Sequence, residues 1–168
     1  MYVSFQDYRH LKPKNFDHVM AQAKNRVAKK YLLALMSRKV SLKSQEERKE
    51  AASKVSREAT HVRSLFEKVG SASGTKTDCP FDAIKAIAEV INVEDLDILS
   101  LELHSFIKHY PDLTKEQLMA ILSIRGDVGR FDLKAKATEI IPGNSAIQKG
   151  PVPQSIFSQV HIPPSLFS

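Results

Sequence analysis

The sequence predicts an all-α, antiparallel helical bundle of two long helices followed by three or four short ones, with an extended C-terminal tail. Three observations predict it. Apolar residues recur at steps of three and four through most of residues 15–141. Two capping boxes, Ser44-Gln45-Glu46-Glu47 and Thr114-Lys115-Glu116-Gln117, mark helix starts. No convincing stretch alternates apolar and polar residues as a half-buried strand would.

The elements follow in order. Between Asn15 and Arg38, residues Phe16, Met20, Ala23, Val27, Tyr31 and Ala34 lie on one face of a long helix, with Pro13 just ahead of it. A short link, residues 39–43, leads to the Ser44 capping box. Behind that box Ala51, Val55, Ala59, Val62, Phe66 and Val69 form a second stripe that ends at Gly70. The pairs Glu50/Lys54 and Arg63/Glu67 stand four apart, an orientation that supports a helix. Two long amphipathic helices on a short link are expected to lie antiparallel. Residues 70–79, GSASGTKTDC, read as a flexible break. Shorter helices are expected at 81–91 and 95–110, the second striped by Leu99, Leu103, Phe106 and Tyr110. Pro111 disfavours α conformation at Tyr110, and Thr114 opens the next helix, which carries Leu118, Ile121 and Leu122. Gly126 suits the position after that helix, and a last helix is expected over 130–141.

Residues 1–141 therefore read as the bundle and 142–168 as the tail. The tail contains Pro142, Pro151, Pro153, Pro163 and Pro164, so no regular helix should run through it. Yet it carries Ile156, Phe157, Val160, Ile162, Leu166 and Phe167 within twelve residues, too much apolar surface for a solvated linker. These six are the candidate docking residues of a tail that returns to a groove on the bundle. The competing reading is a docking peptide held free until a partner accepts it.

Composition narrows the function. An apolar content of 42% supports a core, and no apolar run approaches the roughly 20 residues that span a bilayer. The start, Met1-Tyr2-Val3-Ser4-Phe5, lacks the basic and apolar regions of a signal peptide, and Cys79 stands alone, so a reducing, cytoplasmic setting is expected. The net charge of +6 is uneven. Residues 1–70 carry 16 Lys and Arg against 7 Asp and Glu, residues 71–112 carry 3 against 8, and residues 113–168 carry 6 against 4. The tightest exposed basic cluster, Arg38 and Lys39 with Lys43, is the candidate partner-binding patch.

Catalytic and metal chemistry finds no footing. Gly70-Ser71-Ala72-Ser73-Gly74 has alanine where a nucleophile elbow needs serine. His104 and His109 stand five apart and do not share a helix face as a zinc pair would. Cys79 has no matched histidine. No enzyme activity and no cofactor are expected. Arg125-Gly126-Asp127 reads as a helix end with a basic last residue rather than as an integrin ligand.

The stretch HYPDLTKEQLMAILSIRGDVGR, residues 109–130, resembles the signature near the C-terminus of the exocyst complex component 3 family, which includes the component 3-like relatives and M-Sec. The resemblance rests on Tyr110-Pro111-Asp112, on Leu118, Ala120, Ile121 and Leu122, and on Arg125-Gly126-Asp127. The ending Ile162-Pro163-Pro164-Ser165-Leu166 and the upstream helix from Val27 to Met36 are similar too, so it covers residues 5–168. Lys30 stands where the family pattern has an acidic residue, and family members are longer rods of stacked bundles. The resemblance implies a non-enzymatic protein-interaction module of a vesicle-tethering protein, acting in exocytosis through exocyst subunits or SNARE proteins. A Ral-type small GTPase is a further implied partner. The implied location is cytoplasmic, peripheral to the plasma membrane or secretory vesicles. The alternative from charge alone is a basic helical module that binds anionic lipid or nucleic acid directly; scattered charges argue against nucleic acid and leave only weak membrane contact.

Overall fold

The computed structural model describes residues 13–37, 40–69, 79–141 and 154–162. Helix α1 spans Pro13–Ser37 and α2 spans Gln45–Val69, each about 37 Å long. Then come α3, Phe81–Asn92; α4, Leu96–His109; α5, Lys115–Ile124; and α6, Arg130–Ile140. Among the described tail residues, 154–162, Ile156–Gln159 form a 3-10 turn. No strand occurs among the described residues; Leu42 and Arg125 form one isolated parallel bridge.

Local chemistry sets the helix limits. Glu47 N–H donates to Ser44 Oγ at 3.1 Å, while Glu47 Oε2 accepts from the backbone N–H of Lys43 and Ser44, so the first capping box is closed. Asp95 caps α4 by accepting from Asp97 N–H at 2.8 Å. At Thr114 the reciprocal pair is complete: Gln117 N–H donates to Thr114 Oγ1 at 3.2 Å, and Thr114 N–H donates to Gln117 Oε1 at 3.0 Å.

The core is centred on α3. Its buried residues Phe81, Ala83, Ile84, Ile87, Ala88, Val90 and Ile91 face in several directions, as expected of a helix surrounded by others. Helix α2 runs antiparallel along α3. At one end Phe66 stacks on Phe81 with ring centroids 5.7 Å apart, and Arg63 reaches Asp82 at 3.2 Å. Buried Ala52 and Ala59 leave room for close approach. Helix α1 lies against α3, α5 and the tail turn, and meets α2 through the hydrogen bond from the Tyr31 hydroxyl to the Glu58 carboxylate. The closest neighbour of α2 is thus α3 rather than α1.

The inward face of α1 is rotated from the expected one. Ala28, Leu32 and Met36 are buried with Met20, whereas Val27 and Ala34 are exposed. Apolar residues cover so wide an arc of α1 that the sequence supports either stripe, and the packing against α5 and α3 selects one. The stripes on α2, α4 and α5 lie where expected, with Val55, Ala59 and Phe66, then Leu99, Leu103 and Phe106, then Leu118, Ile121 and Leu122 all buried.

The α1–α2 link is pinned to the end of α5. Leu42 N–H donates to Ile124 O and Gly126 N–H donates to Leu42 O, both at 2.9 Å. This approach explains the glycine. A Cβ on Gly126 would stand 2.5 Å from Ser41 Oγ, 2.8 Å from Lys43 Cγ and 3.0 Å from Lys43 N. The first two atoms can move; the backbone nitrogen is held by its bond to Glu47. Gly126→Ala should therefore destabilise the fold by about 1–3 kcal/mol, as overpacking does. An unchanged midpoint and slope in urea denaturation would show that the link gives way freely.

Candidate interaction site

Two polar assemblies sit at opposite ends of α5, and the sequence-predicted residues distribute around them. At the C-terminal end, Arg125 is fully buried. Its Nε and Nη2 donate to the two carboxylate oxygens of Asp127 at 3.0 and 2.7 Å, and Nη1 donates to Val90 O at 2.7 Å. Val90 lies in the last turn of α3, whose carbonyls lack partners within the helix. The basic residue at the end of α5 thus serves the end of a different helix. Buried in this way, the Arg125-Gly126-Asp127 triplet is an internal tie and offers no arginine to an external ligand.

Asp127 also faces Arg48, 3.6 Å away, and Arg48 Nη1 donates to Leu42 O and Lys43 O at 3.3 and 3.0 Å. Burial alone raises the pKa of Asp127, but the hydrogen bond from Arg125 and the charges of Arg125 and Arg48 outweigh it and hold the carboxyl below its ordinary value of 3.8. Of the expected basic patch, Lys43 is exposed at this corner while its backbone is bound within it; Arg38 and Lys39 lie outside the described residues.

At the N-terminal end of α5 lies the tail. Ile156, Phe157 and Val160 are buried, Ile162 is half-buried against the core, and Leu166 and Phe167 lie outside the described residues. Phe157 meets Phe106 and Tyr110 edge-on, with centroids 5.7 and 5.1 Å apart. Gln117, also buried, donates through Nε2 to Phe157 O at 2.7 Å and Val160 O at 2.6 Å while its Oε1 completes the α5 cap. Asp112 accepts from Ser155 N–H at 2.7 Å and from Ser155 Oγ at 2.7 and 2.9 Å. Sequence reasoning missed Asp112, Ser155 and Arg48 as interacting groups; it placed Gln117 in the α5 capping box and Arg125 at a helix end but missed their contacts with the tail and with α3. The one signal available was a buried-face position, Gln117, occupied by a polar residue beside Leu118 and Ile121.

An open groove of about 820 Å³ runs beside the tail, between α3, α4 and the tail turn, with Asn25 of α1 at its side. Asp82, Lys85, Glu89, Glu102 and His109 line it together with Phe106 and Tyr110. No group of three or more His, Cys, Asp or Glu side chains placed to hold a metal occurs among the described residues. No helix among them is long and apolar enough to cross a membrane.

These contacts make two measurable claims. A carboxyl with a lowered folded-state pKa stabilises the fold above its ordinary value, and that contribution is lost as pH falls through the folded-state value. Asp127→Asn should therefore lower stability at neutral pH and flatten the loss of stability below 3.8; identical pH profiles for the two proteins in urea would exclude this role. Deleting residues 154–168 should also destabilise the bundle and expose dye-binding surface, since each buried side chain among Ile156, Phe157 and Val160 contributes about 1.5–3 kcal/mol before ordering costs. Unaltered thermal unfolding of the truncated chain would mean that the segment adds nothing to the core.

Comparison with known proteins places this architecture. Residues 2–130 match the family model described as exocyst complex component Sec6. The chain is 30% identical to exocyst complex component 3 of Drosophila melanogaster over 156 residues, 93% of this chain and 21% of that one. It is 29% identical to an exocyst complex component 3-like protein of Mus musculus, over 97% of this chain and 22% of that one. Mouse tumor necrosis factor alpha-induced protein 2 is 26% identical over 81% of the chain and 19% of its own length. The crystal structure of M-Sec superposes with a TM-score of 0.78 at 24% identity, covering 95% of this chain and 26% of that one, which shows a shared fold. The chain thus spans about a fifth of the length of the curated relatives it matches. The family is not one of enzymes, in line with the expectation from sequence. By these matches and by its all-α architecture, the chain belongs to the Sec6, or exocyst component 3, family.

Proposed function

We propose that this bundle is a protein-interaction module of an exocyst-type vesicle-tethering protein, acting in exocytosis through contacts with other exocyst subunits or SNARE proteins. The observation that carries the reading is the Sec6 family match over residues 2–130. The internal ties support it: with α2, α3 and α5 fixed to one another, the helical frame presents constant surfaces to a partner. A peripheral position at the plasma membrane or on secretory vesicles follows from that role, and a Ral-type small GTPase is a further candidate partner.

Arg38, Lys39 and Lys43 are the proposed partner-binding patch, and a partner of acidic surface fits them. Charges at such a rim act mainly on the rate of encounter. Retention of purified exocyst subunits or SNAREs by the immobilised chain tests the reading; binding to anionic vesicles with no protein retained would select the lipid-binding alternative. Once a partner is in hand, Arg38→Glu, Lys39→Glu and Lys43→Glu together should slow association by about tenfold or more at low salt and weaken its salt dependence. Wild-type association rates for the triple variant would leave the patch as solvated surface.

A further inference from the structure

The hydroxyl of Ser155 has two roles at once. It donates to both carboxylate oxygens of Asp112, at 2.7 and 2.9 Å, and its oxygen accepts from Phe157 N–H at 3.3 Å as the cap of the tail turn. Ser155 stands at the entry to the contacts that hold residues 154–162 to the corner between α4 and α5. Ser155 fixes where the chain turns in, Phe157 then reaches Phe106 and Tyr110, and Gln117 takes the carbonyls of Phe157 and Val160. We propose that Ser155 is a phosphorylation site, and that a phosphate there, set against the Asp112 carboxylate, releases this segment from the corner.

The chemistry is that of a serine kinase using ATP. Ser155 Oγ forms a bond to the γ-phosphorus, the bond from that phosphorus to the bridging oxygen breaks, ADP leaves, and the hydroxyl proton passes to the kinase base. Two consequences follow. The proton that Oγ shares with Asp112 is gone, and a group of charge about −1.5 to −2 faces a carboxylate it formerly bonded. The surroundings do not offset that repulsion. The adjoining groove, which Ser155 helps to line, carries Asp82, Glu89 and Glu102 against Lys85 and His109, and residues 71–112 as a whole are acidic, with 3 Lys and Arg against 8 Asp and Glu. One favourable contact persists, the N–H of Phe157.

The segment is also open to a modifying enzyme. Gln154 and Gln159 are exposed, and Ser155 and Ser158 are half-buried, so one edge of the turn faces solvent. Its internal bonds, Ser158 N–H to Ser155 O and Val160 N–H to Phe157 O, are both 3.2 Å long. A single 3-10 turn held in this way opens locally at far less cost than the helices beneath it. A kinase takes the opened form, and the phosphate prevents its return. Release would uncover Phe106, Tyr110 and Gln117 together with Phe157 itself, whichever partner the bundle binds.

The test is the 168-residue chain with phosphoserine incorporated at position 155, read by amide hydrogen exchange at residues 157–160. Exchange of Ser158 and Val160 should accelerate by about 10- to 100-fold, as expected when a charge-assisted hydrogen bond that anchors a segment is replaced by repulsion between like charges. Ser155→Ala, which removes the hydroxyl without adding charge, should accelerate it less. Asp112→Asn in the phosphorylated chain should bring exchange back toward the unmodified rate, because an amide can donate to the phosphate. Unchanged protection in the phosphorylated chain overturns the proposal, as does an equal effect of Ser155→Ala or a failure of Asp112→Asn to restore protection. Phosphopeptide mapping of the chain recovered from eukaryotic cells under phosphatase inhibition should place phosphate on Ser155, and its absence there overturns the assignment of the site.

Discussion

The buried guanidinium of Arg125 is the constraint around which the bundle is arranged. A charge removed from water must be paired and hydrogen-bonded, or the fold bears a penalty of several kcal/mol, of order that of a broken buried ion pair. Here the planar fork meets the requirement by joining three elements that are distant in sequence. Two nitrogens go to Asp127, one to the carbonyl of Val90 at the end of α3, and Asp127 Oδ2, which accepts from Arg125 Nη2, also faces Arg48 at the start of α2. Arg48 in turn binds the carbonyls of the α1–α2 link. Lysine could not substitute, because a single ammonium cannot address a carboxylate in fork geometry and a carbonyl on another side at the same time. The bare backbone of Gly126 belongs to the same assembly, since it lets the link come close enough for Leu42 to bond on either side of Arg125.

The opposite end of α5 solves a different problem with a neutral group. Gln117 uses its oxygen to cap its own helix and its nitrogen to satisfy two tail carbonyls, so no part of the amide is wasted on burial. Docking the tail and starting α5 are therefore not independent events. A helix of only ten residues, about 15 Å long, is marginal by itself. Held at one end by Arg125 and at the other by Gln117, it becomes the strut against which α1, α3, α6 and the tail are placed.

What was legible in the sequence was local. Both capping boxes connect residues three apart, and the stripes of α2, α4 and α5 repeat within a few turns, so reading them requires no knowledge of partners. Arg125 and Gln117 have the partners that matter about 35 and 40 residues away. At that separation Arg125 resembles an ordinary basic residue near a helix end, and Gln117 an ordinary capping residue. The α1 stripe shows the same limit from another side. Val27 and Ala28 are both apolar neighbours, and which of them turns inward depends on α3 and α5, not on α1. The tail residues were legible as apolar excess, while Asp112 and Ser155, short polar residues at a turn and in a loop, carried no signal of their contact.

The two ends of α5 also differ in how firmly they hold, and this difference connects the fold to its use. The Arg125 end ties backbone to backbone through a buried, charged network with a fully occluded centre, so it can open only when α2, α3 and α5 separate together. The Gln117 end secures one turn of chain through a neutral amide, two ring contacts of Phe157 with Phe106 and Tyr110, and a half-buried serine. Local opening free energies follow such differences, since a segment with few buried side chains and few main-chain bonds leaves long before the core does. The turn can therefore leave the α4–α5 corner without loosening the helices that form it. For the proposed interaction role, that combination supplies a frame that does not move and one element beside it that can.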